Sequence, residues 1–173
     1  MTEQHYDADW MRQTLARLAD EAGASLSPDA PLAVVGIRTR GAVLAERLCA
    51  LLRDKGRDAD LGRLDITMYR DDISAAGGRK AVRASDIPFD LTGRHVLLVD
   101  DVLSTGRTIR AAITELMDFG RPAVIRLLCL IDRDRRELPI QPDFAGAQVD
   151  VAPERKLQVR VVEVDGVDEV AVT

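Results

Sequence analysis

Two carboxylates, Asp100 and Asp101, stand side by side at the end of the apolar run Val96 to Val99. Val102 and Leu103 carry the chain from them into Ser104-Thr105-Gly106-Arg107-Thr108, where a helical pattern begins. Adjacent acids at the end of a buried strand suit two tasks: holding vicinal hydroxyls of a sugar, or holding a divalent cation. A loop of hydroxyl side chains and glycine that opens a helix suits a phosphate, because N–H groups at a helix N-terminus point at an anion. Together they describe a ribose 5-phosphate, with its diol on the acids and its phosphate in the loop. Two plainer alternatives exist. One is a tight strand-to-helix turn with a capping aspartate. The other is a phospho-acceptor aspartate, which gives the following loop no reason to suit an anion.

A second candidate is Gly36-Ile37-Arg38-Thr39-Arg40-Gly41, which begins on the last two residues of the apolar LAVVGI. Arg38 and Arg40 bracket Thr39, and arginine forks grip phosphate oxygens. The pair reads as a pyrophosphate clamp, or more plainly as two solvated arginines at a turn. A third is Leu64 to Ser74 running into AAGGRKAVRASD. Its polar part, about 68–86, reads as a flexible loop. As a lid it would bring Arg70, Arg79 or Arg83 to the same charge.

These loops need a scaffold, and the hydrophobic spacing supplies one. Residues 9–23 read as an amphipathic helix with Asp9 as N-cap. LAVVGI is a buried strand, 41–52 a helix, 61–66 a strand, 96–99 a strand and 107–119 a helix ended by Gly120. Residues 123–131 are another apolar strand, and 132–150, with Pro139 and Pro142, read as irregular. Residues 159–164 and 169–172 read as strands joined by a turn at Asp165-Gly166. Apolar strands alternating with helices predict an α/β fold, a mostly parallel central sheet flanked by helices. Ligands of such sheets bind beyond the strands' carboxyl ends. That puts 38–41, 100–108 and the stretch from Asp132 on one rim.

Composition bounds the rest. The 173 residues, 46% hydrophobic, suit a single domain over 1–173. No apolar run approaches a membrane span, and the polar start MTEQHYDADW predicts no signal peptide and a cytoplasmic protein. A net charge of −5 does not advertise a nucleic-acid binder. The two cysteines, Cys49 and Cys129, sit in apolar stretches and read as buried hydrophobes. His5 and His95 are too few for a metal cluster.

GIRTRG, DITMYRDD, DIPFDLTG, VDDVLSTGRT, FGRP and RELPI follow one another in an order that resembles the PyrR family over about residues 10–172. These are type I phosphoribosyltransferases: pyrimidine-operon attenuators with uracil phosphoribosyltransferase activity. The resemblance implies that uracil and 5-phosphoribosyl-1-pyrophosphate (PRPP) give UMP and pyrophosphate, with Mg²⁺ carried on PRPP near Asp100 and Asp101. It implies PRPP or nucleotide contacts from Arg38, Thr39, Arg40, Asp100 and Asp101, and from Val102 through Thr108. The catalytic set would be Asp100, Asp101, Arg40 and Arg70. Uracil would sit near Ile131, Asp132 and Arg133, under a small hood of about 132–150. The family also implies a UMP/UTP response, a homodimer or higher homo-oligomer, and binding of pyrimidine-operon leader mRNA, for which Thr39, Arg135 and Arg136 are the candidates. The family pattern is altered at Asp134-Arg135, Gln141, Ala147, Ala16 and Asp20, and each lost cation removes phosphate attraction. The other expectation the motifs allow is a non-catalytic or weakly catalytic regulator that senses nucleotides in the same pocket.

Overall fold

The computed structural model describes residues 5–67 and 84–173. Arg70, Arg79, Arg83 and most of the expected flexible loop lie outside the described residues.

Helix α1 (Ala8–Ser25) starts one residue earlier than the spacing predicts, because Asp7 and not Asp9 caps it: the Asp7 carboxylate accepts the Trp10 N–H at 2.8 Å. Met11, Leu15, Leu18, Ala19 and Ala22 recur on its buried side. Strand β2 (Leu32–Ile37) is buried at all six positions, as a strand covered on both faces must be. Helix α2 (Arg40–Asp54), β3 (Asp60–Leu64), β4 (His95–Leu103), α3 (Arg107–Leu116) and β5 (Val124–Asp132) follow. A single 3₁₀ turn, Met117–Phe119, finishes α3. Strand β6 (Phe144–Gln148) then adds to the sheet edge, and β7 (Leu157–Arg160), the short helix α4 (Val162–Asp165) and β8 (Glu169–Val172) end the described chain.

The main sheet is parallel throughout, in the order β3-β2-β4-β5-β6. Successive residues point to opposite faces. Leu97 and Val99 of β4 join α1 and α2 in one core, while Val96 and Leu98 join α3 in the other. The chain leaves β2 toward β3 on one side and returns to β4 on the other. The strand order therefore reverses between β2 and β4, and the crevice beyond their carboxyl ends is where a sheet of this kind takes its ligand. A second, antiparallel sheet, β1-β8-β7, joins the two ends of the described chain, with β1 being His5–Tyr6.

Three further expectations are corrected. The expected strand 159–164 stops at Arg160, and 162–165 forms α4 because the Asp165 carboxylate accepts the Val161 N–H at 2.9 Å and closes a turn. Residues 132–150 are not wholly irregular: β6 pairs in parallel with β5, its Gly146 lying so close to the Leu130 carbonyl that a side chain would not fit. Strand β4 runs on to Leu103, four residues beyond its apolar run, so Asp100 and Asp101 belong to the strand itself.

Candidate functional site

Strand β4 places the acid pair. Asp100 pairs with Cys129 of β5 and is only 6% exposed, and the half-buried Asp101 follows on the next step of the pleat. Each carboxylate accepts the N–H of the next residue, Asp101 N–H to Asp100 and Val102 N–H to Asp101, both at 2.9 Å. Val102 and Leu103 are strand residues; Leu103 is buried in the core, so its side chain faces away from any ligand.

The loop expected to take a phosphate, 104–108, is built from its outer side. Gly106, at φ +91°, occupies the N-cap of α3, a left-handed conformation that favours glycine. Its carbonyl accepts the Arg110 N–H at 2.9 Å, starting the helix. The loop's other carbonyls are taken by residues 133–138. Leu103 accepts the Arg133 N–H at 2.9 Å, and Thr105 accepts the Glu137 and Leu138 N–H groups at 2.9 and 3.2 Å. The Ser104 carbonyl accepts from Arg136 Nη1 at 2.9 Å. With its carbonyls held outward, the loop can turn N–H groups toward an anion at the start of α3.

Arg136 is the pin of this arrangement. Its Nε donates to the Ile140 carbonyl at 2.6 Å and its Nη2 to Asp132 at 2.9 Å. The guanidinium side chain is 11% exposed. It therefore has no outward fork for RNA, and its expected role there gives way to a structural one. Asp132 is equally committed, since it also accepts the Asp134 N–H at 2.8 Å. Ile131 is fully buried in the core, so its side chain cannot meet a base. Of the expected uracil residues, Arg133 alone turns a side chain to open space. It lines a cleft of about 630 Å³ with Asp134, Arg135, Gln148 and Asp150. Arg135 donates to the Val151 carbonyl.

The second loop faces the first. Gly41, at the start of α2, lies against β4 so closely that a Cβ there would stand 2.8 Å from the Val99 carbonyl oxygen and 3.1 Å from Asp100 Cα. This contact sets the start of α2 beside the acids, where Arg40 feels the charge of Asp101. The Arg38–Thr39 peptide bond is cis. Arg38 donates its N–H to the Leu64 carbonyl at 2.9 Å, its Nε is buried without a hydrogen-bond partner, and Thr39 is exposed. Arg40 is not open in the way the spacing predicts. Its Nε and Nη2 donate to the two oxygens of Asp165 at 3.0 and 2.7 Å. The guanidinium holds the Asp165 carboxyl below the usual carboxylate range. Asp165 is not legible in the sequence as a site residue. The signal lay in the spacing of Arg40 and Arg47, two turns apart on one face of α2, against the acids of VEVDGVDEV.

Both cysteines are free and buried, and burial pushes the Cys129 thiol up to about 12, which removes it as a nucleophile. Among the described residues no three His, Cys, Asp or Glu side chains converge to hold a metal, and no helix is long and apolar enough to cross a membrane.

Residues 2–164 match the phosphoribosyl transferase domain model. The bifunctional protein PyrR of Chloroflexus aurantiacus is 47% identical over 171 residues, covering 98% of this chain and 94% of that protein. That of Thermus thermophilus is 48% identical, covering 95% and 91%. Among solved structures, a hypoxanthine-guanine phosphoribosyltransferase from Bacillus anthracis superposes with a TM-score of 0.74 at 16% identity, covering 100% of both chains. The hypoxanthine phosphoribosyltransferase of Trypanosoma cruzi gives 0.70 at 20% identity, covering 96% of this chain and 93% of that one. At these identities the structures speak for the fold alone.

Proposed function

Because the chain belongs to the phosphoribosyl transferase family, and within it to the bifunctional PyrR proteins, we propose that it transfers the phosphoribosyl group of PRPP to uracil, yielding UMP and pyrophosphate. The observation that carries this reading is the meeting of Asp100 and Asp101 with two anion-suited loops, 38–41 and 104–108, at the strand-order reversal of one sheet.

In this reading the acid pair accepts hydrogen bonds from the ribose hydroxyls, and the start of α3 holds the 5-phosphate. The bond from C1′ to pyrophosphate oxygen breaks as the bond to uracil N1 forms, the N1 proton passes to the departing pyrophosphate or to solvent, and C1′ gains oxocarbenium character. Negative charge grows on the leaving group, where Arg38 and the backbone around Thr39 stabilise it, and the rest of the work is positioning. The carboxylates beside C1′ also favour the developing positive charge. Uracil lies beyond the end of β5, near Arg133 and the backbone after Asp132. Mg²⁺ fits this site in the manner usual for that ion, on one or two carboxylates and the substrate's phosphates, with Asp100 and Asp101 as the residues to hold it. When bound it supplies charge neutralisation on the pyrophosphate.

Regulation is the second half of the family's bifunctional character, and we assign it to UMP or UTP in the same pocket and to a pyrimidine leader RNA on the outer face. Of the RNA candidates, we assign this contact to Thr39, which is exposed, and to Arg135. Ala147→Lys with Gln141→Arg then tightens RNA binding and steepens its salt dependence by about two phosphates' worth; a gel-shift titration at several salt concentrations reads this. Catalysis is tested by Asp101→Asn. The variant keeps the wild-type melting temperature within about 2 °C and loses at least roughly tenfold in kcat/KM for PRPP, the scale of a charge-assisted hydrogen bond. An unchanged rate removes the acid pair from the ribose.

A further inference from the structure

Arg40 and Arg47 anchor the C-terminal segment 161–168 to α2. Arg47 forks to two carboxylates at once. It reaches Glu163 at 3.0 and 2.6 Å, and Asp168 at 2.9 and 2.8 Å. Arg40 forks to Asp165. The acids are themselves fixed. Asp168 accepts the Val162 N–H at 2.8 Å, Asp165 accepts the Val161 N–H at 2.9 Å, and the Asp165 N–H closes on the Val161 carbonyl at 2.7 Å. A bidentate pair of this kind is geometrically specific. Its place is specific too: Arg40 is the first residue of α2 and lies within the loop, 38–41, assigned to pyrophosphate, and Asp101 is the other carboxylate whose charge it feels.

Resting on the functional reading above, we propose that Asp165 is a positioning residue for the pyrophosphate end of the site. It occupies the Nε/Nη2 edge of Arg40 and fixes the guanidinium at the start of α2. The Nη1 edge takes no part in the pair and is the one offered to a phosphate oxygen. Two effects oppose each other when the carboxylate is removed. Losing the anchor frees a rotamer-rich side chain, which the ligand must then order. Losing the negative charge leaves a bare cation beside an anion site, which by charge alone favours pyrophosphate. The guanidinium is partly solvated, so bare charge is screened there and the ordering effect dominates.

The test titrates inorganic pyrophosphate, PRPP and UMP, each with Mg²⁺, into the full chain by calorimetry. The variants are Asp165→Asn, Asp165→Glu and Arg47→Gln. Asp165→Asn weakens pyrophosphate and PRPP about three- to tenfold and leaves UMP, which has no pyrophosphate, unchanged. Asp165→Glu recovers part of the loss. Arg47→Gln loosens the same segment at its other anchor, lowers the melting temperature and leaves all three affinities within about twofold. A purely structural role would make Arg47→Gln and Asp165→Asn alike. That result, or Asp165→Asn binding pyrophosphate as well as or better than the wild type, overturns the proposal. A wild-type chain that takes neither PRPP nor pyrophosphate overturns the functional reading and the proposal with it. A wild type that binds both, beside an indifferent Asp165→Asn, overturns the proposal alone.

Discussion

Replacing Gly41 with alanine puts one methyl group where α2 meets β4, and the consequence can be followed from contact to rate. The new Cβ would stand 2.8 Å from the Val99 carbonyl oxygen, 3.1 Å from Asp100 Cα and 3.2 Å from Asp100 Oδ1. Two of these partners are backbone atoms of a central strand and cannot swing aside. An ordinary contact needs about 3.4 Å or more, so the start of α2 must withdraw by roughly half an ångström. Overpacking of this kind costs about 1–3 kcal/mol, and alanine's better helix propensity returns at most about 1 kcal/mol. The net loss of roughly 1–2 kcal/mol lowers the melting temperature of a chain this long by about 2–8 °C. The kinetic effect, expressed as free energy, is of the same size as the loss of stability. Arg38 and Thr39 move with α2 while Asp100 and Asp101 stay on β4, so the two halves of the site part. A misplacement near 1 Å can cost about a hundredfold, and half of that distance about tenfold in kcat/KM. Thermal melts and pyrophosphate-release kinetics on the same preparation read both numbers. A variant that melts lower but keeps the wild-type kcat/KM would refute the claim that the Gly41 contact sets the spacing of the two loops.

Two further substitutions probe the supports. Arg136→Gln leaves Asp132 buried without its cation and frees the Ser104 and Ile140 carbonyls; it costs about 3 kcal/mol in urea unfolding and raises the KM for PRPP more than that for uracil. An unchanged KM for PRPP would mean that the phosphate loop holds its shape without this pin. Glu115, 8% exposed, accepts from the Ser85 hydroxyl at 2.5 Å, while burial pushes its carboxyl above the usual range. Its raised pKa means that the folded protein binds the proton more tightly than the unfolded chain. Its contribution is therefore fully present below the ordinary glutamate pKa and is lost as pH rises through the folded value. Glu115→Gln flattens that fall, so its melting temperature relative to wild type improves between pH 4 and pH 7; a constant difference across that window contradicts the assignment.

Much of this molecule is legible in the sequence, and the illegible parts have a common physical cause. LAVVGI and the run Val96 to Val99 announce buried strands because both faces of a parallel strand are covered. The acid pair and the glycine-centred loop stand out because few local structures need both. Long-range partners are different. Nothing near Arg40 in sequence reveals that its fork closes on Asp165, 125 residues away. Arg136, written in a surface-like string of charges, turns inward because the Ser104 and Ile140 carbonyls and Asp132 await it. Residues 159–164 alternate like a strand, but the tertiary pull of Arg40 on Asp165, together with the Val161 N–H on the same carboxylate, turns the part from Val162 on into α4. Strand β6 hides in a glycine- and alanine-rich stretch whose close approach to β5 requires small residues rather than β-branched ones.

One steady-state assay reads uracil-dependent transfer: pyrophosphate release from PRPP with Mg²⁺, run in parallel with uracil, adenine, hypoxanthine and orotate. A uracil phosphoribosyltransferase releases pyrophosphate with uracil, gives UMP as the matching product, and shows no release above background with the other three bases. Release with hypoxanthine in place of uracil, or no release with any base while PRPP still binds, would contradict that assignment.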